Sequence, residues 1–317
     1  MGQEEMVSGD GWISDESSFY GDEHEQDRLE TFCEEFRHVN AWSTCKNNLN
    51  TIAFQHRNVP QRELSNPGEG QPGSWHLGET AEDFVKRLPP VTTSASDFEW
   101  IWVHNPYPQI HGKSKEANAL DFTIRGQELL VRSLQIRKDI ESKGQSRNRS
   151  VITRRLNEES NVLHRRITEL AAETNVVCGK WMLFPSLEDV TRIWRLVVDG
   201  VISNRLGPTA KVAPDQGKSG ERLICIYTKD FRDKHDVLRV LRELVSMGVV
   251  NQRNKPVYYK PDAYTYLDIY KASAAEYGLQ ASLYSSQRLL AEENLQQAVL
   301  IPRTQSSLNR FVKTVPE

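Results

Sequence analysis

Residues 179–200, "GKWMLFPSLEDVTRIWRLVVDG", decide the fold because they hold a predicted strand followed by a predicted helix. The strand is the apolar run around Trp181, and it ends at Pro185 because proline cannot continue a central ladder. One apolar stripe at helical spacing indicates the helix, and it consists of Leu187, Val190, Ile193, Trp194 and Val197. A large aromatic residue in such a stripe packs in a core, so we expect Trp181 and Trp194 to be buried.

The two ends of this helix carry their own signals. Ser186 is followed three residues later by Asp189, which resembles a helix start because short polar side chains accept hydrogen bonds from first-turn amides. Gly200 tolerates the left-handed conformation that ends many helices. We therefore expect the helix to lie between these two signals.

The same strand-then-helix unit occurs again downstream. "RLICIYT" (222–228) predicts a strand, and "DKHDVLRVLRELVSMG" predicts a helix that begins at Asp233 or Asp230 and ends at Gly248. "KPVYYK" (255–260) predicts a further short strand. Strands interspersed with amphipathic helices indicate an α+β domain with helices on one face of a sheet.

Two longer stretches have a helical pattern. The first runs from Asp121 to about Asn175 with a break at "SKGQSRNRS", and the second runs from Tyr264 to about Glu293. Between Arg125 and Arg166 basic residues outnumber acidic ones. Three interpretations of this basic segment stay open: a surface that contacts phosphates, a solvated helix surface, or a partner for the chain's own acidic tail.

A strand is also predicted at "DFEWIWVHN" (97–105), where both faces are largely apolar. We therefore expect Trp100 and Trp102 to be core residues. The stretch from Asn58 to Gly78 is rich in Pro, Gly, Asn and Ser, which is typical of a linker or long loop. The predicted organisation is an acidic tail (1–40), a linker with N-terminal elements (41–96), an α+β domain (97–293) and a flexible C-terminal tail (294–317).

Composition restricts the environment of the chain more than its activity. The net charge of -3, from 40 basic and 43 acidic residues, gives no global attraction to nucleic acid or to an anionic membrane. Twelve acidic residues against Arg28 alone between Met1 and Phe36 predict a disordered acidic tail. No apolar stretch approaches the roughly 20 residues that cross a bilayer, and no secretory signal is visible. Four scattered cysteines without a CxxC pair favour a reducing compartment, cytoplasmic or nuclear, and argue against a zinc site.

The usual catalytic motifs are missing, and nothing pairs a nucleophile with a base, so we expect a protein that is not an enzyme and has no metal or cofactor.

The C-terminus contains a candidate peptide for binding a protein partner. Gln305, Leu308, Phe311 and Val312 match the spacing of peptides that dock on the sliding clamp, although a second aromatic residue is missing. This segment, like the acidic tail, is a candidate site for protein partners.

The quoted runs also resemble a known family. "FEWIWVHNPYP", "GKWMLFPSLEDVTRIWRLVVDGVI", "LGPTAKVAP" and "ICIYTKDFRDKHDVLRVLRELV" occur together, in this order, in the uncharacterised eukaryotic basophilic-leukaemia-expressed protein family. The resemblance extends from about Asp97 to Tyr270. It implies the fold of the cap-binding translation initiation factor, which is a curved antiparallel sheet with helices on its convex face.

The resemblance also implies where a ligand would bind. The cap-binding factor holds a methylated guanine between two loop tryptophans. The corresponding loops here, "NPYPQIHGKSK" and "KVAPDQGKSGER", have no tryptophan, and only Tyr107 is aromatic. The candidate ligand-binding residues are Tyr107, His111, Lys113, Lys115, Lys211 and Lys218. The expected function is binding of RNA or a nucleotide on the concave face of the sheet, and the alternative is a protein-protein interaction adaptor without a small-molecule ligand.

Overall fold

The computed structural model describes residues 64–107, 116–143, 149–217, 220–251 and 255–300, with side chains to residue 295, together with Asp27, Arg28 and Thr31. The chain divides into two compact units, at residues 1–62 and at residues 63–317. In the first unit the three described residues are helical, and the Thr31 hydroxyl donates to the carbonyl of Asp27. Several predictions lie outside the described residues: most of the acidic tail, and His111, Lys113, Lys115, Lys218, Gln305, Leu308, Phe311 and Val312.

The second unit is built on a curved antiparallel sheet of six strands. The strands are β1 (Ile101–His104), β2 (Gly179–Leu183), β3 (Thr209–Val212), β4 (Ile224–Thr228), β5 (Tyr258–Pro261) and β6 (Tyr284–Ser285). Their spatial order is β1-β3-β4-β2-β5-β6, and every neighbouring pair is antiparallel. The predicted α+β class with an antiparallel sheet is confirmed.

The helices form two groups. They are α1 (Ala81–Arg87), α2 (Ala119–Ser142), α3 (Arg149–Glu173), α4 (Val190–Ile202), α5 (Lys234–Ser246), α6 (Asp262–Tyr266), α7 (Lys271–Ala274) and α8 (Ser286–Leu300), with a 3₁₀ turn at Ala275–Tyr277. On the convex face, α4 packs on β1, β3 and α1, while α5 packs on β4 and α8. The long helices α2 and α3 pair with each other and also contact α6. Within the described parts of the chain, no helix is both long and apolar enough to cross a membrane.

The core lies between the sheet and the convex-face helices. Alternate strand residues point toward it, and Trp181 and Trp194 are both fully buried there, as predicted. The indole nitrogen of Trp181 donates to the carbonyl of Val237 in α5, which fixes the helix against the sheet. Trp194 in α4 packs against Phe84 in α1, with ring centroids 6.4 Å apart. Trp181 therefore holds α5 on the sheet, and Trp194 holds α1 against α4.

Residues before β1 also belong to this core. Trp75 and Phe84 are buried. The backbone N–H of Trp75 donates to the carbonyl of Trp102, and the N–H of Trp102 donates to the carbonyl of Gly73. The described part of the predicted linker or long loop has turns and a single bridge, from Ser74 to Trp102. Its backbone therefore covers the outer edge of β1.

The end of helix α4 differs from the prediction. Helix α4 continues through Gly200 to Ile202, and the left-handed residue that follows is Asn204, with φ of 56°. Gly200 lies inside the helix, and a Cβ there would come within 2.8 Å of Leu206, so the role of this glycine is close packing. The other two end signals were correct: Asp233 caps α5, and Gly248 follows that helix with φ of 69°.

Two larger elements differ in detail from their predictions. The stretch from Tyr264 to Glu293 is mostly helical, as predicted, but it is divided into short helices, the 3₁₀ turn, β6 and the beginning of α8. The strand predicted at 97–105 is reduced to residues 101–104, and only one of its faces is buried. Ile101 and Val103 are in the core, whereas Trp102 is only half-buried on the opposite face.

Candidate ligand-binding face

The cross-strand register shows which residues share the concave face of the sheet, because side chains directly opposite each other on neighbouring strands lie on the same face. Trp102 in β1 is opposite Lys211 in β3, and Lys211 is opposite Cys225 in β4. Cys225 is in turn opposite Met182 in β2, which is opposite Tyr258 in β5. These five residues form one row across the face.

A second row lies two residues further along the strands. Tyr227 in β4 is opposite Lys180 in β2, and Lys180 is opposite Lys260 in β5. Three lysines therefore share one face of a six-stranded sheet. We call this surface the lysine face, and define it as Trp100, Trp102, His104, Lys180, Met182, Lys211, Cys225, Tyr227, Tyr258 and Lys260, with Tyr270 beside Lys260.

Lys211 lies over aromatic rings. Its Nζ is 3.8 Å from the ring centroid of Trp100 and 4.8 Å from that of Trp102, which is cation–π geometry. The Trp102 ring is itself stacked on His104 on one side, at 5.8 Å, and on Tyr227, at 6.3 Å. Burial lowers the pKa of Lys211, and it also lowers the pKa of His104, which favours the neutral imidazole. The cation at this end of the face is therefore Lys211.

Lys260 repeats this arrangement at the other end of the face. Its Nζ lies 3.8 Å from the ring centroid of Tyr270, and the residue is only 5% exposed. Burial, followed by the charge of Lys180, lowers the pKa of Lys260 to about 8. Among the described residues, no carboxylate lies within 4.0 Å of the ammonium of Lys211 or Lys260. Both ammonium groups are thus partly desolvated and have aromatic rings rather than a counter-ion beside them.

Lys180, between them, has a counter-ion. Its Nζ lies 2.6 Å from Oδ1 of Asp262 and 3.2 Å from the hydroxyl of Thr265. Asp262 is held in place because its backbone N–H donates to the carbonyl of Cys178, at the point where β5 passes into α6. The middle of the lysine face is therefore a neutralised ion pair.

Two further groups of this face, the Cys225 thiol and the Tyr227 phenol, keep their protons at physiological pH. Burial raises the pKa of the Cys225 thiol to about 11 and raises the pKa of the Tyr227 phenol. Burial also raises the pKa of Cys178. A thiol that keeps its proton is a poor nucleophile, so these groups favour recognition over covalent chemistry. In the described ranges, no three His, Cys, Asp or Glu side chains are grouped as metal ligands would be.

Of the six predicted ligand-binding residues, the structure places Lys211 on this face. Tyr107 lies in the turn after β1, exposed, with its backbone N–H donating to Oδ1 of Asn105. The other four lie outside the described residues, so the predicted loop cluster stays a prediction.

Sequence reasoning missed the other members of the face. The expectation that Trp100 and Trp102 are core residues is wrong, because both are half-buried on the lysine face. Lys180 and Lys260 were assigned no role. The available signal was their position: lysine is depleted inside strands, and both occur within apolar strand sequences, "GKWML" and "YYKP".

Several arginines of the basic segment between Arg125 and Arg166 lie beside acidic residues, unlike Lys211 and Lys260. Arg125 forms ion pairs with Asp121 and Glu173, and Arg165 pairs with Glu169. A surface groove of about 380 Å³ between α2 and α3 is lined by both signs of charge. These pairs favour the solvated-surface interpretation for that part of the hairpin.

The comparisons with known proteins extend the earlier resemblance. A crystal structure of Ascaris suum eIF4E-3 with m2,2,7G cap matches 27% of this chain and 52% of that chain, at 16% identity and a TM-score of 0.24. The match therefore spans about half of that protein, and a likeness this weak says nothing about a ligand here. The family model described as basophilic leukemia-expressed protein Bles03 matches residues 22–268. Because this match covers most of the sequence, the chain belongs to the Bles03 family.

Proposed function

We propose that this chain is a binding protein, not an enzyme, and that its lysine face binds a nucleotide or RNA. The observation that supports this most is the pair of desolvated lysines, Lys211 and Lys260, each held over an aromatic ring without a carboxylate within ion-pair distance among the described residues. Such groups lower the stability of the free protein, and an arriving phosphate supplies the missing counter-ion.

Aromatic side chains on the same face suit the other half of such a ligand. Nucleobases stack on aromatic rings, and each stacked base contributes about 1–3 kcal/mol. Tyr258 and Tyr270 expose nearly half of their surface beside Lys260, while Trp100 and Trp102 lie beside Lys211. The combination of ammonium groups and accessible rings fits a phosphorylated aromatic compound better than a simple anion.

Titration of the full chain with nucleotides and short RNA at low salt tests this proposal. Tryptophan fluorescence is a suitable signal because Trp100 and Trp102 lie on the face, and isothermal titration calorimetry provides an independent one. We expect saturable binding that Lys211→Met and Lys260→Met each weaken about tenfold, as expected for loss of a charge-assisted contact. Lys86→Met is the matched control, since Lys86 is an exposed lysine on α1 at the convex side. Absence of saturable binding by every nucleotide and RNA would overturn the proposal.

A second candidate function is a protein-protein interaction adaptor, and one observation favours it. Leu120, Ile124 and Val131 are 73%, 53% and 68% exposed, and their spacing places them along one side of α2. Partner lists from pull-downs would be compared between the full chain, a variant with these three residues changed to serine, and versions lacking residues 1–40 or 304–317. Partner lists that stay the same in every altered version would reject the adaptor function.

The cytosolic or nuclear location is part of the proposal. It is supported by the cysteine pattern, and imaging of the tagged full chain would test it.

A further inference from the structure

Two similar lysine–aromatic pairs occur at opposite ends of the lysine face. Lys211 with Trp100 is on the β1–β3 side, and Lys260 with Tyr270 is on the β5 side. In both pairs the ammonium lies 3.8 Å from a ring centroid and has no carboxylate within 4.0 Å among the described residues. The two pairs are thus equivalent in chemistry and separate in position.

The sheet fixes their separation. Strands β4 and β2 lie between β3 and β5, so Lys211 and Lys260 are three strand spacings apart. At about 4.8 Å for each spacing, this is about 14 Å across the strands. An ion pair requires the nitrogen and oxygen to lie within about 4 Å, so one phosphate cannot bind both lysines at once.

The region between the two pairs differs from its ends. Lys180 is neutralised there by Asp262, 2.6 Å away. The same region contains half-buried Met182, which offers an apolar surface rather than a free charge, while Tyr227 is buried there with its ring stacked on Trp102. An anion is therefore favoured at the two ends, and bases or sugars are favoured between them.

We propose that the lysine face binds a single RNA strand laid across β3, β4, β2 and β5, with one phosphate at Lys211 and another at Lys260. This inference rests on the proposed nucleotide or RNA binding, and it adds the length and direction of the ligand. Stacked nucleotides advance about 3.4 Å each along a strand, so the two bound phosphates are about four nucleotide steps apart, and a 5′-phosphorylated strand of about five nucleotides reaches both lysines. A mononucleotide reaches only one end.

Binding as a function of oligonucleotide length tests this inference. Adenosine monophosphate and 5′-phosphorylated oligoadenylates of two, five and eight nucleotides are titrated against the full chain at several salt concentrations. We expect affinity to rise at least tenfold from one to five nucleotides and little more at eight. Two phosphate contacts on a single strand predict a slope of log affinity against log salt of about -1.4, and Lys211→Met or Lys260→Met reduces it to about -0.7.

The variants separate the possible outcomes. Lys→Arg at each position is expected to keep the salt slope, and thermal melting confirms that each variant is folded. If adenosine monophosphate binds as tightly as the five-nucleotide strand, the strand inference is overturned while nucleotide binding stands. If one Lys→Met variant leaves both the length dependence and the slope unchanged, the two-ended arrangement is wrong. If no probe binds saturably, the proposed function itself fails.

Discussion

The ammonium of Lys211 lies 3.8 Å from the centre of the Trp100 ring, so the chain's own lysine occupies the position that a ligand cation would take. The second ring in this group, Trp102, is 4.8 Å from the same nitrogen and is stacked on His104. Aromatic surfaces that attract cations are therefore already used within the protein. This relationship favours an anionic ligand over a positively charged base.

The first prediction concerns base methylation. Methylation of guanine at N7 gives the base a positive charge, which Lys211 would repel. We expect 7-methylguanosine monophosphate to bind no more tightly than guanosine monophosphate, as measured by calorimetry at low salt. A clear preference for the methylated base would contradict the assignment of Lys211 as the resident cation.

The second prediction concerns stability and Lys260. Because the folded pKa is about 8 and the ordinary value is about 10.4, the charged amine destabilises the fold below pH 8, and this cost disappears as pH rises toward 10.4. Lys260→Met is therefore expected to raise the free energy of unfolding by about 1–2 kcal/mol at pH 7. Denaturant unfolding at pH 7 and at pH 10 measures the difference between variant and native chain, which should shrink at the higher pH.

The third prediction is the pH dependence of RNA affinity. Loss of the proton from Lys260 above pH 8 removes one phosphate contact, so affinity for a five-nucleotide strand should fall between pH 7 and pH 9. The charges that act on this amine are Lys180, which lowers its pKa, and Asp268 and Asp262, which raise it. Lys260→Arg keeps its charge throughout this range, so its binding curve should be flat. A fall of equal size in the arginine variant would assign the effect to another group.

The fourth prediction concerns the ion pair at the centre of the face. Asp262→Asn leaves the Lys180 ammonium, whose side chain is 11% exposed, without its counter-ion. We expect the free energy of unfolding to fall by about 2–3 kcal/mol. Adding Lys180→Met should recover much of this loss, and the double-mutant cycle measures the coupling between the two side chains. Simple additivity of the two changes would show that the pair is not coupled.

The fifth prediction separates core tryptophans from those on the lysine face. Trp194→Ala removes a fully buried ring, and we expect a loss of about 3–5 kcal/mol in the free energy of unfolding. Trp100→Ala should cost much less stability but should weaken RNA binding, because this half-buried ring positions Lys211. Chemical unfolding and calorimetry on the same two variants provide the comparison.

Most of the scaffold could be predicted from apolar periodicity. Strands β2 and β4 and helices α4 and α5 have long, regular patterns, and their burial follows from these patterns alone. Strand β3 was missed because it has only four residues, Thr209–Val212, between two prolines at positions 208 and 214. So short a segment has no periodicity to detect, and its pairing with β1 and β4 depends on tertiary structure.

The candidate site was predicted less well, for a physical reason. Lys211 was recognised from its position in a loop, although it actually lies within β3. Lys180 and Lys260 are far apart in sequence and become neighbours only through the register of β2 and β5. Likewise, alternation in "WIWVH" shows that Trp100, Trp102 and His104 share a face, but it does not show which face the helices cover.

The backbone hydrogen bonds between Trp102 and residues 73 and 75 limit how short a fragment of the folded unit can be. A fragment beginning at residue 97, where the α+β domain was predicted to start, would lack both the backbone that borders β1 and the buried rings of Trp75 and Phe84. An expressed fragment should therefore start at or before residue 63. A shorter fragment would leave the outer edge of β1 unpaired, and an unpaired strand edge promotes self-association.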